Sequence, residues 1–185
     1  MWLYILIGVI AVILIYFLIT YNKLINLKNR VEEAFSTMDV YLKKRWDLIP
    51  NLIETVKGYA KHEKDTLNEI VSLRNKSYDN MTNSDKLATN NKVTKDISRL
   101  MLLAENYPDL KANQNFIDLS KQLTALEEDI ANSRKYYNGT IRLMNNMVEM
   151  FPSNIVAKIL GYKQLKMFEA KKEEKENIKV NLSEE

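Results

Sequence analysis

The chain has 185 residues, a formal net charge of +3, one histidine and no cysteine. The lack of cysteine excludes disulfides, thiolate metal sites and cysteine nucleophiles, and a lone His62 excludes a zinc centre built from several histidines of one chain. Basic and acidic residues are interspersed and form no basic stripe, which argues against nucleic acid as a partner. Four glycines and three prolines are all that punctuate the sequence, so long helices are expected and strands are not.

Residues 2–19 carry no charged side chain. As a helix rising about 1.5 Å per residue they span roughly 27 Å, close to the hydrocarbon thickness of a bilayer. Trp2 and Tyr4 at one end, with Tyr16 and Tyr21 near the other, suit its two interfaces. A cleaved signal peptide would need a basic leading region and a small-x-small cleavage site. No Lys or Arg precedes the apolar run, and Ile19-Thr20-Tyr21-Asn22 is a poor site. The expectation is therefore an uncleaved transmembrane anchor over residues 1–20. Lys23, Lys28 and Arg30 follow it closely. Positive charge tends to stay cytoplasmic, so a single-pass cell-membrane protein is expected, with its N-terminus outside and the rest of the chain in the cytoplasm.

Residues 21–162 read as a helical bundle. Apolar side chains recur at three- and four-residue spacing: Leu24, Val31, Ala34/Phe35, Met38, Tyr41/Leu42, Leu48/Ile49, Leu52/Ile53, Val56 and Tyr59/Ala60. Pro50 has no N–H and disfavours a helical Ile49. The run therefore either breaks into helices over 21–48 and 50–78 or bends as one helix about 85 Å long. Residues 77–84 are polar and read as a loop, with Ser84 as an N-cap and Asp85 in the first turn of the next helix. That helix shows Leu87, Val93, Ile97, Leu100/Met101 and Ala104, and ends at Asn106-Tyr107-Pro108. Asn113 is placed to cap the following helix, whose stripe is Phe116, Leu119, Leu123, Leu126, Ile130, Tyr137, Ile141, Met144, Val148 and Phe151. This near-heptad pattern is a bundle or coiled-coil seam. Ser153 is then expected to cap a short helix over 155–160, closed by Gly161. Its apolar residues either form a lid on the bundle or touch the membrane, as Ile155, Val156, Ile159 and Leu160. Residues 163–185 end in a charged stretch without periodicity, expected to be a disordered tail.

The residues of familiar chemistries are missing. A di-metal helical bundle needs Glu-x-x-His, and Tyr59 stands three residues before His62. No glycine-rich phosphate loop and no Gly-x-Ser-x-Gly elbow occur. His62, in Ala60-Lys61-His62-Glu63-Lys64, reads as a surface residue. No catalytic, cofactor-binding or metal-binding residue and no small-molecule substrate are expected, and the chain is read as a non-enzyme.

Four segments resemble the LemA family. One is Asn22-Lys23-Leu24 leading into Lys28-Asn29-Arg30-Val31-Glu32-Glu33-Ala34-Phe35. The longest runs from Leu42-Lys43-Lys44-Arg45-Trp46-Asp47-Leu48-Ile49-Pro50-Asn51 through Leu52-Ile53-Glu54-Thr55-Val56-Lys57-Gly58-Tyr59-Ala60-Lys61-His62-Glu63. The others are Glu105-Asn106-Tyr107-Pro108-Asp109-Leu110-Lys111-Ala112-Asn113 and Phe151-Pro152-Ser153-Asn154. The resemblance covers about residues 1–170. Trp46 stands where the family usually has a smaller aromatic, and the tail lacks the frequent glycine- and proline-rich ending. The resemblance implies an N-terminal anchor in bacteria and an antiparallel up-and-down four-helix bundle, which favours a break at Pro50. It also implies no established enzymatic activity and no known general role. Members occur beside membrane-protease genes, and relatives act in magnetosome membrane formation.

The functional expectation is a membrane-anchored interaction or accessory protein of the cell envelope, with the bilayer and a protein partner or a second copy as its contacts. Polar residues poorly suited to a core make the candidate partner surface: Arg30, Glu33, Asp39, Lys43, Arg45, Asp47, Asn51, Glu54 and Glu63. The competing structural reading has Asp47 capping the helix after the break and Arg45 and Glu54 in ion pairs within the chain. The alternative function is a self-assembling membrane scaffold or remodelling protein.

Overall fold

One helix, α1 (Trp2–Tyr59), carries both the apolar N-terminal run and the amphipathic stretch that follows it. The computed structural model describes residues 1–60, 71 and 77–168, and among these every regular element is helical. After α1 come a 3-10 turn (Tyr78–Asn80), α2 (Asn83–Glu105), the short α3 (Pro108–Lys111), α4 (Gln114–Glu149) and α5 (Ser153–Ile159).

Pro50 does not break α1: of the two alternatives the continuous helix is the one found, and not the break that the family resemblance favoured. A proline inside a helix costs about 3 kcal/mol. Ile49, Leu52, Ile53 and Val56 flank it and are all buried, and each such burial contributes about 1.5–3 kcal/mol. That gain outweighs the proline only if the helical phase is kept across it. The helix stops instead after Gly58 and Tyr59, at Ala60 (φ −104°, ψ 56°), where a glycine in the last turn weakens its continuation.

α4 packs antiparallel along α1. The rings of Phe35 and Tyr137 meet edge-on with centroids 5.6 Å apart, Arg45 pairs with Glu127, and the Asn113 amide donates to the Tyr59 hydroxyl at 2.9 Å. Rising numbers on α1 thus meet falling numbers on α4. α2 runs parallel to α1, with Lys86 against Asp39 and Thr94 against Arg45. The core forms three clusters along α1. Leu24, Leu27 and Val31 pack with Ile141, Met144, Val156 and Ala157 at the end nearest the apolar run. Phe35, Met38 and Leu42 meet Tyr78 and Ile130 in the middle. Ile49, Leu52 and Val56 meet Leu100, Leu110 and Phe116 at the far end. Residues 2–19 stay outside this core, exposed except for a half-buried Phe17, and α1 is a helix long and apolar enough to cross a membrane.

The helix ends show which local signals suffice. The Asn113 side chain accepts from the Phe116 N–H at 3.1 Å, as expected. α2 is capped two residues earlier than expected: Thr82, and not Ser84, accepts from the Asp85 N–H at 3.2 Å. Ser153 is not a cap; it opens α5, and its hydroxyl donates to the Met150 carbonyl at 2.9 Å. Gly161 closes α5 as expected. Its φ is +76°, its N–H donates to the Lys158 carbonyl at 3.1 Å, and the Tyr162 N–H donates to the Ala157 carbonyl at 2.9 Å. These are the two bonds of a Schellman motif. Space around the glycine is open, so the cost of a side chain there is conformational. Gly161→Ala is expected to lower stability by about 1 kcal/mol, read from the denaturation midpoint.

The expected tail begins too early. Residues 163–168 lie along α4, held by two asparagine side chains. Asn145 exchanges hydrogen bonds with the backbone of Leu165 at 2.9 and 2.8 Å, and Asn138 does the same with Phe168 at 2.8 Å each. The asparagines are seven residues apart, about 10.5 Å along a helix. Three residues of extended chain cover about 10 Å, so the two spacings match. Phe168 is buried, with the Arg134 guanidinium 5.4 Å from its ring centroid. Residues 169–185 lie outside the described residues, as do His62 and Glu63.

Candidate interaction surface

The face of α1 opposite its buried stripe stays open. Arg30, Glu33, Thr37, Val40, Lys44, Asp47, Asn51, Glu54 and Gly58 follow one another at three- and four-residue steps, and all are exposed. From Arg30 to Glu54 this stripe is about 36 Å long. Five of the nine proposed surface residues therefore share one line: Arg30, Glu33, Asp47, Asn51 and Glu54. Asp47 caps nothing, because the helix continues through Pro50; it lies one turn from Lys43, with charged atoms 3.8 Å apart. Glu54 has no ion pair among the described residues.

Arg45 does not belong to this surface. It is 1% exposed, one of the largest fully buried side chains. Its guanidinium donates to the Glu127 carboxylate, to the Asn90 carbonyl at 3.1 Å and to the Thr94 hydroxyl at 2.5 Å. Burial lowers its pKa, while the charge and hydrogen bond of Glu127 act the other way; an arginine stays charged throughout. Its Nε is buried without an acceptor among the described residues. Beside it a groove of about 280 Å³ opens between α2 and α4, lined by Ile97, Met101, Leu123 and the hydroxyls of Ser98, Ser120 and Thr124. Those hydroxyls donate to carbonyls of their own helices, leaving a mostly apolar wall. The sequence did carry a sign of this. Arg45 stands three residues after Leu42 and four before Ile49, within the apolar phase.

Asp39 and Lys43 flank the stripe and serve the fold. Asp39 accepts from the Tyr78 hydroxyl at 2.7 Å and pairs with Lys86 at 2.6 Å. Lys43 lies 3.5 Å from Asp79 and 5.7 Å from the Tyr78 ring centroid. Tyr78, in the segment expected to be a polar loop, is buried and stacks obliquely on Trp46 at 5.7 Å. An aromatic amid polar residues was its only mark in the sequence.

The four proposed membrane residues of the α5 region divide. Val156 is core, and Leu160 is half-buried against the same cluster. Ile155 and Ile159 point out, 53% and 68% exposed. The cis Phe151–Pro152 bond lies in the α4–α5 turn. Phe151, placed in the α4 stripe by its spacing, is past the core and 79% exposed.

These features define a class: an all-helical protein whose longest helix extends from its core as an exposed apolar rod. The LemA family model matches residues 34–182, and the chain belongs to the LemA family. It is similar to Protein LemA of Metamycoplasma hominis, with 26% identity over 164 residues, 88% of this chain and 74% of the relative. It is also similar to Magnetosome protein MamQ 2 of Paramagnetospirillum magneticum, 29% identical over 75 residues, and to Magnetosome protein MamQ of Magnetospirillum gryphiswaldense, 27% identical over 75 residues. Each of these matches covers 40% of this chain and 28% of the magnetosome protein.

Proposed function

We propose that the protein is a non-enzymatic accessory module of the bacterial envelope, anchored in the cell membrane by residues 2–19, with its bundle in the cytoplasm. The observation that carries this is the continuity of α1. One helix is both the apolar rod and the main wall of the core, so the open stripe from Arg30 to Glu54 has a fixed direction relative to the rod. α1, α2 and α4 run as the first, third and fourth helices of an up-and-down four-helix bundle do; of residues 61–76, between α1 and the 3-10 turn, only Val71 is described. Photo-crosslinkers placed in cells at Asn51 and Glu54, with mass spectrometry, test the module. Capture of one defined membrane protein at both positions, and not at buried Leu52, is the expected result. Equal labelling of many proteins sinks it.

A self-assembling scaffold is the second reading, supported by exposed apolar side chains on the bundle, Val40, Leu102 and Leu143 among them. It requires oligomers of the purified chain in detergent, with crosslinks between copies in place of those to a partner.

A further inference from the structure

We infer that the α4–α5 turn is a second membrane contact: an apolar wedge ringed by lysines that seats on anionic phospholipid beside the span. This rests on reading residues 2–19 as a membrane span.

The register places the wedge. Ten residues separate Phe35 from Arg45 on α1, and ten separate their α4 partners, Tyr137 and Glu127. Carried toward the apolar rod, that register brings Phe151 level with about Tyr21, roughly 3 Å along the axis from the end of the run at Ile19. Val156 and Ala157 share one cluster with Leu24 and Leu27, and Phe17 packs against that cluster, so α5 lies near the base of the rod. At this level Met150, Phe151, Ile155 and Ile159 are exposed together, although Val156 and Ala157 of the same short helix are core. A bilayer around residues 2–19 puts these four side chains at the boundary between headgroups and acyl chains, where an amphipathic element buries its apolar face.

Charge selects the lipid. Residues 20–28 and 146–164 contain four lysines, Lys23, Lys28, Lys158 and Lys163, and one carboxylate, Glu149. Lys28 is drawn to Glu32 at 3.7 Å, and Glu149 accepts from the Gln164 amide. Lys23, Lys158 and Lys163 are exposed, with no ion pair among the described residues. The asparagine-held strap keeps Lys163 at this end of the bundle. Anionic headgroups within a Debye length, about 8–10 Å, attract such cations.

The test uses the full chain, whose lack of cysteine lets one introduced thiol carry a spin label. Ile159→Cys reports on the wedge, and Leu102→Cys, 70% exposed on α2, is the aqueous control. Both are reconstituted in phosphatidylcholine vesicles with and without phosphatidylglycerol. The label at 159 is expected to meet oxygen in preference to an aqueous nickel chelate, more so with phosphatidylglycerol, while that at 102 stays aqueous. Reversing Lys158 and Lys163 to glutamate is expected to shift the ratio of buried to aqueous label at least about fivefold per position, with helicity and thermal unfolding unchanged. A label at 159 as aqueous as that at 102 overturns the contact, and equal shielding in both lipids overturns the anionic selection. Spin–spin broadening that vanishes on dilution with unlabelled chain overturns the lipid as occupant in favour of a second copy. Vesicle flotation separates the premises: a chain that fails to float overturns the span, and one that floats with an aqueous label overturns the wedge alone.

Discussion

Glu127→Ala is expected to destabilise the protein by about 3 kcal/mol, while Arg45→Met is neutral or stabilising. The asymmetry follows from where the two charges sit. Removing one partner of a buried pair leaves an uncompensated charge and costs about 3–5 kcal/mol. Arg45 is 1% exposed and cannot reach water without opening the seam of α1, α2 and α4, whereas the Glu127 side chain is 54% exposed. Half of the pair is therefore already solvated, which puts the cost at the low end of that range. Arg45→Met removes the cation together with its Nε, which lacks an acceptor, and keeps a flexible side chain of similar length against Ile97, Met101 and Leu123. The charge that Arg45→Met leaves behind is the Glu127 carboxylate, already half in water, so no buried charge is stranded and the usual penalty for removing one partner does not apply. Denaturant unfolding of the full chain in mild detergent, followed by helical circular dichroism, measures both variants. In the Arg45→Met background Glu127→Ala should cost little. If it costs the same there as in the parent, Glu127 acts through something other than Arg45.

Tyr78→Ala is expected to cost about 3–5 kcal/mol, as truncations of large buried aromatics do. Tyr78 is buried against Trp46, its hydroxyl donates to Asp39 at 2.7 Å, and Lys86 lies 4.9 Å from its ring centroid. It fastens the segment before α2 to the middle of α1. Tyr78→Phe keeps the ring, loses a hydrogen bond to a charged acceptor worth about 1.5–3 kcal/mol, and also changes the alkaline response. Burial first, then the hydrogen bond to Asp39 and the charges of Asp39, Asp47 and Asp79, push the phenol above its ordinary value of 10.0. Below pH 10 the phenol is protonated in both the folded and unfolded states, and the stability is fully present. Above it the unfolded chain ionises while the folded one stays neutral, so stability falls as pH rises, by about 1.4 kcal/mol per pH unit for this group. The difference between parent and Tyr78→Phe should therefore shrink from pH 9 to pH 11 in parallel denaturation series. A constant difference would show that Tyr78 titrates normally.

The positions of the helices were legible in the sequence because helical periodicity and end signals are local. Leu24 to Val56 and Phe116 to Met144 kept one apolar face in phase, and those faces are the core. The length and apolarity of residues 2–19, the cap at Asn113 and the positive φ of Gly161 needed only near neighbours. Tertiary packing decided the rest. Arg45 looked like surface by chemistry and core by phase, and its fate depended on a carboxylate 82 residues away. Pro50 left a break and a bend both open because only its local cost is visible in the sequence, whereas the compensation comes from side chains on both sides meeting α2, α3 and α4. Along the short α5 apolar residues are too dense for periodicity to mark an inner face, so only the docked helix tells Val156 from Ile155 and Ile159. By itself the sequence determined that this is an all-helical protein with an apolar span-length segment. The tertiary structure decided which side chains face out, because burial is set by contacts between segments far apart in the chain.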